Sequence, residues 1–155
     1  MKTLVLGIGN PILSDDGVGI RVAQGVGKEL NDPQITVSET SAAGLSLLDS
    51  IIGYDEVIII DAIQTQKGKA GQIYRMGPGD FSFAKHISSP HQINLVTALE
   101  LGKVLDLAMP QKITIFAVEA KDITNFGEIC TPEVERAIPE AVKMVLEELK
   151  FQTSP

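Results

Sequence analysis

The segment Leu4-Val5-Leu6-Gly7-Ile8-Gly9-Asn10 is an apolar strand that runs directly into a glycine turn. Ser14-Asp15-Asp16-Gly17 follows, so two adjacent carboxylates stand where the first helix is expected to begin. An α/β sheet binds its ligands in the crevice at the carboxyl ends of its strands. A phosphate-binding loop would place glycines and a lysine at this position. The two negative charges therefore favour a cation over a phosphate as the ligand.

Apolar periodicity predicts that strands alternate with helices along the chain. The predicted strands cover residues 2–6, 34–38, 56–60, 72–76 and 112–118, and the predicted helices cover residues 17–30, 43–52, 90–105 and 132–149. Such alternation is typical of a three-layer αβα fold of the α/β class, in which a mostly parallel, twisted, five-stranded sheet carries helices on both faces. The length of 155 residues predicts a single domain over residues 1–155.

The strand order determines where the crevice lies. We expect the second strand on the outer side of the first and the third strand on its other side, so the switch point lies between strands one and three. The third strand contains the continuous apolar run Val57-Ile58-Ile59-Ile60, which is typical of a strand covered on both faces. We expect this strand to end at Asp61, facing the same crevice as Asp15 and Asp16.

Proline and glycine are predicted to interrupt the regular elements in two places. Residues 77–89 should form an irregular loop. Loops of this length are longer than most connections and often have a function. Ser89 is then expected to cap the following helix, with Pro90 in its first turn. Pro139 lies inside the last predicted helix and should kink or split it.

The composition of the chain argues against nucleic acid and membranes as binding partners. The net charge of −7 argues against nucleic acid, because affinity for nucleic acid depends on Lys and Arg at phosphates. No apolar run approaches the roughly 20 residues that span a bilayer, and the N-terminus has no signal-peptide core, so we expect no membrane contact and a cytoplasmic location. Cys130 is the one cysteine and is interpreted as a buried structural residue.

Four side chains from three segments are expected to converge on the crevice, namely Asp15, Asp16, Asp61 and His91. His91 lies in the first turn of a predicted helix, where the helix dipole disfavours a protonated imidazole. The neutral imidazole is the form that ligates metals. Two carboxylates and one imidazole make a ligand set suited to zinc, nickel, manganese or iron.

Each of these residues also has a simpler interpretation. Asp15 and Asp16 would stabilise a helix N-terminus by roughly 0.3–1 kcal/mol each without any ligand. Asp61 is compatible with a turn residue, and His91 with a surface residue. The convergence of independent segments on one crevice is what favours a functional site.

Three motifs resemble those of the [NiFe]-hydrogenase maturation endopeptidases. Gly7-Ile8-Gly9-Asn10 with Asp15-Asp16-Gly17-Val18-Gly19 resembles their opening motif, Ile60-Asp61-Ala62 their second acidic motif, and Ser89-Pro90-His91-Gln92 their histidine motif. The order and spacing match over essentially the whole chain. The resemblance implies an αβα endopeptidase that removes the C-terminal extension of a hydrogenase large-subunit precursor after nickel has been inserted.

The resemblance also implies which residues act. By motif position, Asp16, Asp61 and His91 are the catalytic residues and the ones that bind or sense nickel. The nickel is presented by the precursor, and another divalent metal is expected to substitute in the isolated protein. Asp16 stands where relatives often carry glutamate, and its side chain is one methylene shorter.

The supporting positions are Gly9, Asn10, Asp15 and Glu39. Asp15 is expected to be a helix-start residue that supports the site without carrying the metal. Glu39 opens the segment Glu39-Thr40-Ser41-Ala42-Ala43-Gly44, where relatives commonly carry Asp-Gly-Gly-Thr-Ala-Gly after the second strand. We expect this loop to shape the choice of precursor.

The chemistry and the class of function stay open at this stage. Either the metal polarises the scissile carbonyl or activates a water, or one carboxylate acts directly as the general base. Two other functions fit the same crevice: a small nucleotide- or phosphate-using α/β enzyme, and a non-catalytic, metal-sensing partner in hydrogenase assembly. A thermal shift with nucleotides would favour the first, and precursor binding without a cleaved product would favour the second.

Overall fold

The fold is described by a computed structural model that covers residues 1–41, 45–65, 67–83, 87–88 and 92–153. Strands and helices alternate through these residues. In chain order the elements are β1 (Thr3–Ile8), a 3-10 turn (Ser14–Gly17), α1 (Val18–Glu29), β2 (Ile35–Thr40), α2 (Leu45–Ile51), β3 (Glu56–Thr65), β4 (Ile73–Met76), α3 (Pro78–Phe83), β5 (Ile87–Ser88), α4 (Gln92–Val104), β6 (Lys112–Glu119) and α5 (Pro132–Thr153).

The main sheet has the strand order β2-β1-β3-β6-β4. β1, β2, β3 and β6 are parallel to their neighbours, whereas the edge strand β4 runs antiparallel to β6. β1 thus lies between β2 and β3, which confirms the predicted strand order and the switch point between β1 and β3. The two-residue strand β5 pairs antiparallel with the far end of β3.

Two apolar clusters cover the two faces of the sheet. α1 and α5 pack on one face, where alternate β3 residues such as Ile58 and Ile60 point. α2 and α4 pack on the other face, against Val57, Ile59 and Ile63. Because β3 is covered on both sides, its apolar run has no polar alternation. The predicted three-layer αβα architecture is confirmed.

Helix α1 lies unusually close to the sheet at its first turn. A Cβ at Gly19 would overlap the backbone carbonyl oxygens of Ile8 in β1 and Ile60 in β3. A Cβ at Gly7 would overlap the carbonyl oxygen of Gly19 and lie 2.8 Å from the Cβ of Ala23. Glycine at both positions therefore permits a close approach that no other residue allows without moving backbone.

Several predicted boundaries are wrong. β3 does not end at Asp61 but continues to Thr65, because it pairs with β6 as far as Ile63↔Glu119 and with β5 over its last two residues. β2 likewise extends through Glu39 to Thr40, since β1 pairs with it along its full length. Within residues 77–89, the helix α3 and the strand β5 replace the predicted irregular loop.

The predicted split of the last helix at Pro139 is wrong, because α5 is continuous from Pro132 to Thr153. Its buried residues Val134, Ala141 and Val145 lie on both sides of the proline and pack into the same core. This packing outweighs the hydrogen bond that proline removes. The helices of the described residues include none that is both long and apolar enough to cross a membrane. Ala43, Gly44, Ser89 and Pro90 lie outside the described residues.

We expect Gly19→Ala to lower the free energy of unfolding by about 2 kcal/mol, because the new methyl group must displace carbonyls of two strands. Gly27→Ala in the same helix is the matched control. Its Cβ would meet Val37 at 3.6 Å, so the better helix propensity of alanine should stabilise the protein by about 0.5–1 kcal/mol. Urea denaturation followed by circular dichroism measures both changes. Equal effects of the two substitutions would contradict the close approach of α1.

Candidate active site

Asp16 lies in the 3-10 turn that connects β1 to α1, and only 2% of its surface is exposed. Its carboxylate oxygen Oδ2 accepts a hydrogen bond of 3.0 Å from the backbone N–H of Asn10. Gly9 passes so close to this turn that a Cβ there would overlap the carbonyl oxygen of Asp16. The Asn10 side chain accepts a hydrogen bond from the N–H of Ile12, which shapes the same turn. The structure thus places Gly9 and Asn10 directly around Asp16.

Asp61 lies within β3 at the point where β1 stops pairing with it. The ladder between β1 and β3 ends at Gly7↔Ile60, whereas the ladder between β3 and β6 continues with Asp61↔Ala117. Asp61 is 5% exposed, and its Oδ1 accepts a hydrogen bond of 2.8 Å from the N–H of Ala62. The residue is therefore at the predicted switch point, although it does not end its strand.

The two carboxylates come to the same end of the sheet. The 3-10 turn that holds Asp16 contacts β3. Gly19, three residues after Asp16, lies against the carbonyl of Ile60, which directly precedes Asp61. The close approach of α1 therefore determines where both acids lie.

His91 lies outside the described residues, so the structure does not place the third predicted site residue. The helix that follows it, α4, begins at Gln92 and packs on the face of the sheet that holds Ile59 and Ile63. By strand alternation Asp61 belongs to that same face. Within the described residues, no group of three or more His, Cys, Asp or Glu side chains is arranged to hold a metal ion.

Asp15 is completely buried and accepts hydrogen bonds from the loop between β6 and α5. Its Oδ2 accepts hydrogen bonds from the backbone N–H groups of Lys121 and Asp122, at 2.8 and 3.0 Å. Its Oδ1 accepts one of 2.7 Å from the N–H of Thr131, and the Thr131 hydroxyl donates to the same carboxylate. Asp15 therefore joins the turn after β1 to both ends of the loop between β6 and α5, a role that its sequence position does not reveal.

Cys130 is buried, as predicted. Burial raises the pKa of its thiol to about 11, and the nearby Asp15 carboxylate acts in the same direction. The thiol therefore stays protonated at neutral pH, and its sulfur lies 3.8 Å from the carbonyl oxygen of Ser14, to which it donates a weak hydrogen bond. This environment is that of a structural cysteine.

Glu39 lies apart from the buried acids. It belongs to the edge strand β2, is exposed to solvent, and accepts a hydrogen bond of 3.1 Å from the side-chain amide of Gln24 in α1. Both residues line a groove of about 600 Å³ between α1 and β2. Glu39 therefore faces this groove, whereas Asp16 and Asp61 make their contacts at the switch point between β1 and β3.

A further buried acid, Glu119, was not singled out by the sequence reasoning. It ends β6 and is 1% exposed. Its carboxylate accepts hydrogen bonds from the N–H and hydroxyl of Thr65 and from the hydroxyl of Tyr74, and burial together with this carboxylate raises the pKa of Tyr74. Gly68 lies so close that a Cβ there would overlap the carboxylate. Like Asp61, Glu119 follows an apolar run, and that pattern was the available signal.

Comparison with known proteins finds hydrogenase maturation proteases both by sequence and by structure. The family model described as "Hydrogenase maturation protease" matches residues 20–148. The chain is 31% identical over 153 residues to the hydrogenase 2 maturation protease of Escherichia coli K12, covering 97% of this chain and 92% of that protein.

Two solved structures are similar over almost their whole length. The hydrogenase maturating endopeptidase HybD from E. coli superposes with a TM-score of 0.86 at 28% identity, covering 99% of this chain and 94% of that one. The [NiFe] hydrogenase maturation protease HybD from Thermococcus kodakarensis superposes with a TM-score of 0.77 at 25% identity, covering 96% and 99%.

We expect Asp15→Asn to lower the free energy of unfolding by about 3 kcal/mol, because asparagine offers one acceptor oxygen and turns its N–H groups toward backbone N–H groups. Asp32→Asn is the control, since Asp32 accepts a single exposed hydrogen bond from the N–H of Gln34. That substitution should cost less than about 1 kcal/mol. Urea denaturation compares the two. A fully stable Asp15→Asn variant would contradict the structural role of Asp15.

Proposed function

We propose that this chain, which belongs to the hydrogenase maturation protease family, is an endopeptidase that processes the C-terminus of a hydrogenase large-subunit precursor. In this proposal it recognises nickel that is already bound to that precursor. Asp16, Asp61 and His91 are the residues proposed to meet the metal and to carry out the cleavage. Nickel is part of the substrate in this proposal, because it arrives with the precursor and is held there by the precursor's own ligands.

One observation supports the proposal that Asp16 and Asp61 meet the metal. Asp61 is the first residue of β3 beyond its ladder with β1, and the turn that holds Asp16 contacts β3. Ligands of α/β sheets bind at this switch point. Two buried carboxylates there supply oxygen ligands of the kind that first-row divalent metals accept, and the imidazole of His91 would add a nitrogen ligand.

Contact with the metal would also position the scissile peptide. A precursor whose nickel meets Asp16 and Asp61 is fixed at the crevice, which converts cleavage into a reaction between groups already in place. Hydrolysis then needs a group that takes a proton from the attacking water and delivers it to the leaving amine. A carboxylate in the crevice is suited to this general acid–base role.

We expect Asp16→Asn, Asp61→Asn and His91→Ala each to lower the rate of precursor cleavage at least about 100-fold, because each removes a proposed metal contact or proton acceptor. Asp49→Asn is the matched control, since Asp49 is an exposed acid on α2. Mass spectrometry of the nickel-loaded precursor after incubation with each variant measures the cleaved fraction.

The conservative change Asp16→Glu restores the longer side chain that relatives often carry and should retain measurable cleavage. Normal trimming by Asp16→Asn, Asp61→Asn and His91→Ala would show that the site lies elsewhere. Precursor binding by the wild-type protein without any cleaved product would instead support the non-catalytic, metal-sensing alternative.

We expect nickel-free precursor to be cleaved at least about 100-fold more slowly than nickel-loaded precursor by the wild-type protein, because the metal aligns the scissile peptide. Reconstitution of the same precursor preparation with nickel is the control and should restore cleavage. Equal cleavage rates with and without nickel would exclude metal recognition while leaving the endopeptidase activity intact.

A further inference from the structure

Two loops beside the candidate site expose large apolar side chains. Ile12 is 49% exposed, Phe126 83% and Ile129 73%. These three residues are called the apolar rim. Exposed aromatic and branched side chains grouped next to a functional site are typical of a protein-binding surface.

The two loops of the apolar rim are hydrogen-bonded into one unit. The N–H of Gly127 donates to the carbonyl of Ile12, and the N–H of Ser14 donates to the carbonyl of Gly127, both at 2.9 Å. The Ser14 hydroxyl donates to the carbonyl of Asn125, also at 2.9 Å. The segment that presents Phe126 is therefore attached to the turn that leads into Asp16.

The loop between β6 and α5 is also ordered internally. Asp122 accepts hydrogen bonds from the backbone N–H groups of Thr124 and Asn125 and from the Asn125 side-chain amide. The hydrogen bonds from Asn125 lower the pKa of the Asp122 carboxyl. Asp15 accepts hydrogen bonds from both ends of this loop, so the backbone that carries the exposed Phe126 side chain is held in one conformation. A pre-ordered backbone reduces the entropy that binding would otherwise cost.

We propose that the apolar rim is the docking surface for the folded body of the hydrogenase large-subunit precursor, beside the scissile segment that enters the crevice. The inference rests on the proposed function, because it names the partner of the same site. The rim is continuous with the Asp16 turn, so a partner that presents nickel to Asp16 also covers Ile12. Glu128 is exposed between Phe126 and Ile129, which favours an apolar patch bordered by a basic side chain on the precursor.

A second copy of this chain fits the apolar rim less well. Each copy carries a net charge of −7 and would place the same exposed Glu128 at the interface. Like charges brought together across an interface oppose association.

The test compares the double variant Phe126→Ser/Ile129→Ser with the control Val104→Ser/Leu105→Ser. The control removes two exposed apolar side chains, 80% and 54% exposed, at the end of α4. Because α4 leads to the start of β6, they lie toward the amino ends of the parallel strands, opposite the candidate site. Far-ultraviolet circular dichroism and urea midpoints establish that both variants fold.

The probe is the purified, nickel-loaded large-subunit precursor of the same organism. Its affinity is measured by biolayer interferometry in an Asp61→Asn background, and kcat and KM are measured with Asp61 present. The rim variant should bind at least tenfold more weakly and raise KM at least tenfold with kcat within about twofold of wild type. The control should stay within about twofold of wild type in every parameter.

The outcomes separate the docking surface from the activity. Unchanged affinity of the rim variant for a precursor that is cleaved overturns the docking surface and leaves the endopeptidase intact. If the rim variant binds the precursor more weakly but the wild-type protein never cleaves that precursor, the docking surface is supported and the proposed endopeptidase activity is wrong. A rim variant that changes a dimer to a monomer in gel filtration while keeping its affinity for the precursor overturns the proposal in favour of a second copy.

Discussion

The candidate site depends on how closely the first turn of α1 approaches β1 and β3. Gly7 and Gly19 remove the side chains that would separate helix from sheet, so the carbonyls of Ile8 and Ile60 lie directly under the helix backbone. This approach directs the chain leaving β1 back over β3 within a few residues. Backbone packing therefore brings the turn that holds Asp16 to the same end of the sheet as Asp61. A single methyl group at Gly19 would act on the fold and on the site together.

The adjacent acids Asp15 and Asp16 make different contacts because the 3-10 turn sends their side chains to different neighbours. Asp15 is surrounded by the N–H groups of Lys121, Asp122 and Thr131, which a carboxylate satisfies with both oxygens. Asp16 is enclosed by the Gly9–Asn10 turn at the switch point. Charge alone makes the two residues equivalent. The motif resemblance assigns the metal to Asp16, and the contacts from other segments show what the Asp15 carboxylate holds in place.

The sequence predicts the features that depend on local pattern and on strand order. The apolar run before Asp61, the glycine turn after β1 and the alternation of elements led to the correct architecture and to the switch point. The extension of β3 to Thr65 was missed because it depends on pairing with β6 and β5, which come later in the chain, and because the strand contains an acid that resembles a stop. The continuity of α5 through Pro139 and the partners of Asp15 and Glu119 were missed for the same reason, since long-range packing and hydrogen bonds leave no local signal.

The hydrogen bonds of Asp15 connect the turn after β1 to the loop between β6 and α5. One buried carboxylate joins the loop that carries Phe126 and Ile129 to the turn that carries Asp16, and these hydrogen bonds restrain the spacing between the apolar rim and the candidate ligand. A protease of low intrinsic sequence preference can select one bond if the substrate is held at two points whose separation is fixed. In this protein the metal contact would be one point and the apolar rim the other, and the length of precursor chain that spans them would determine which peptide bond reaches the crevice.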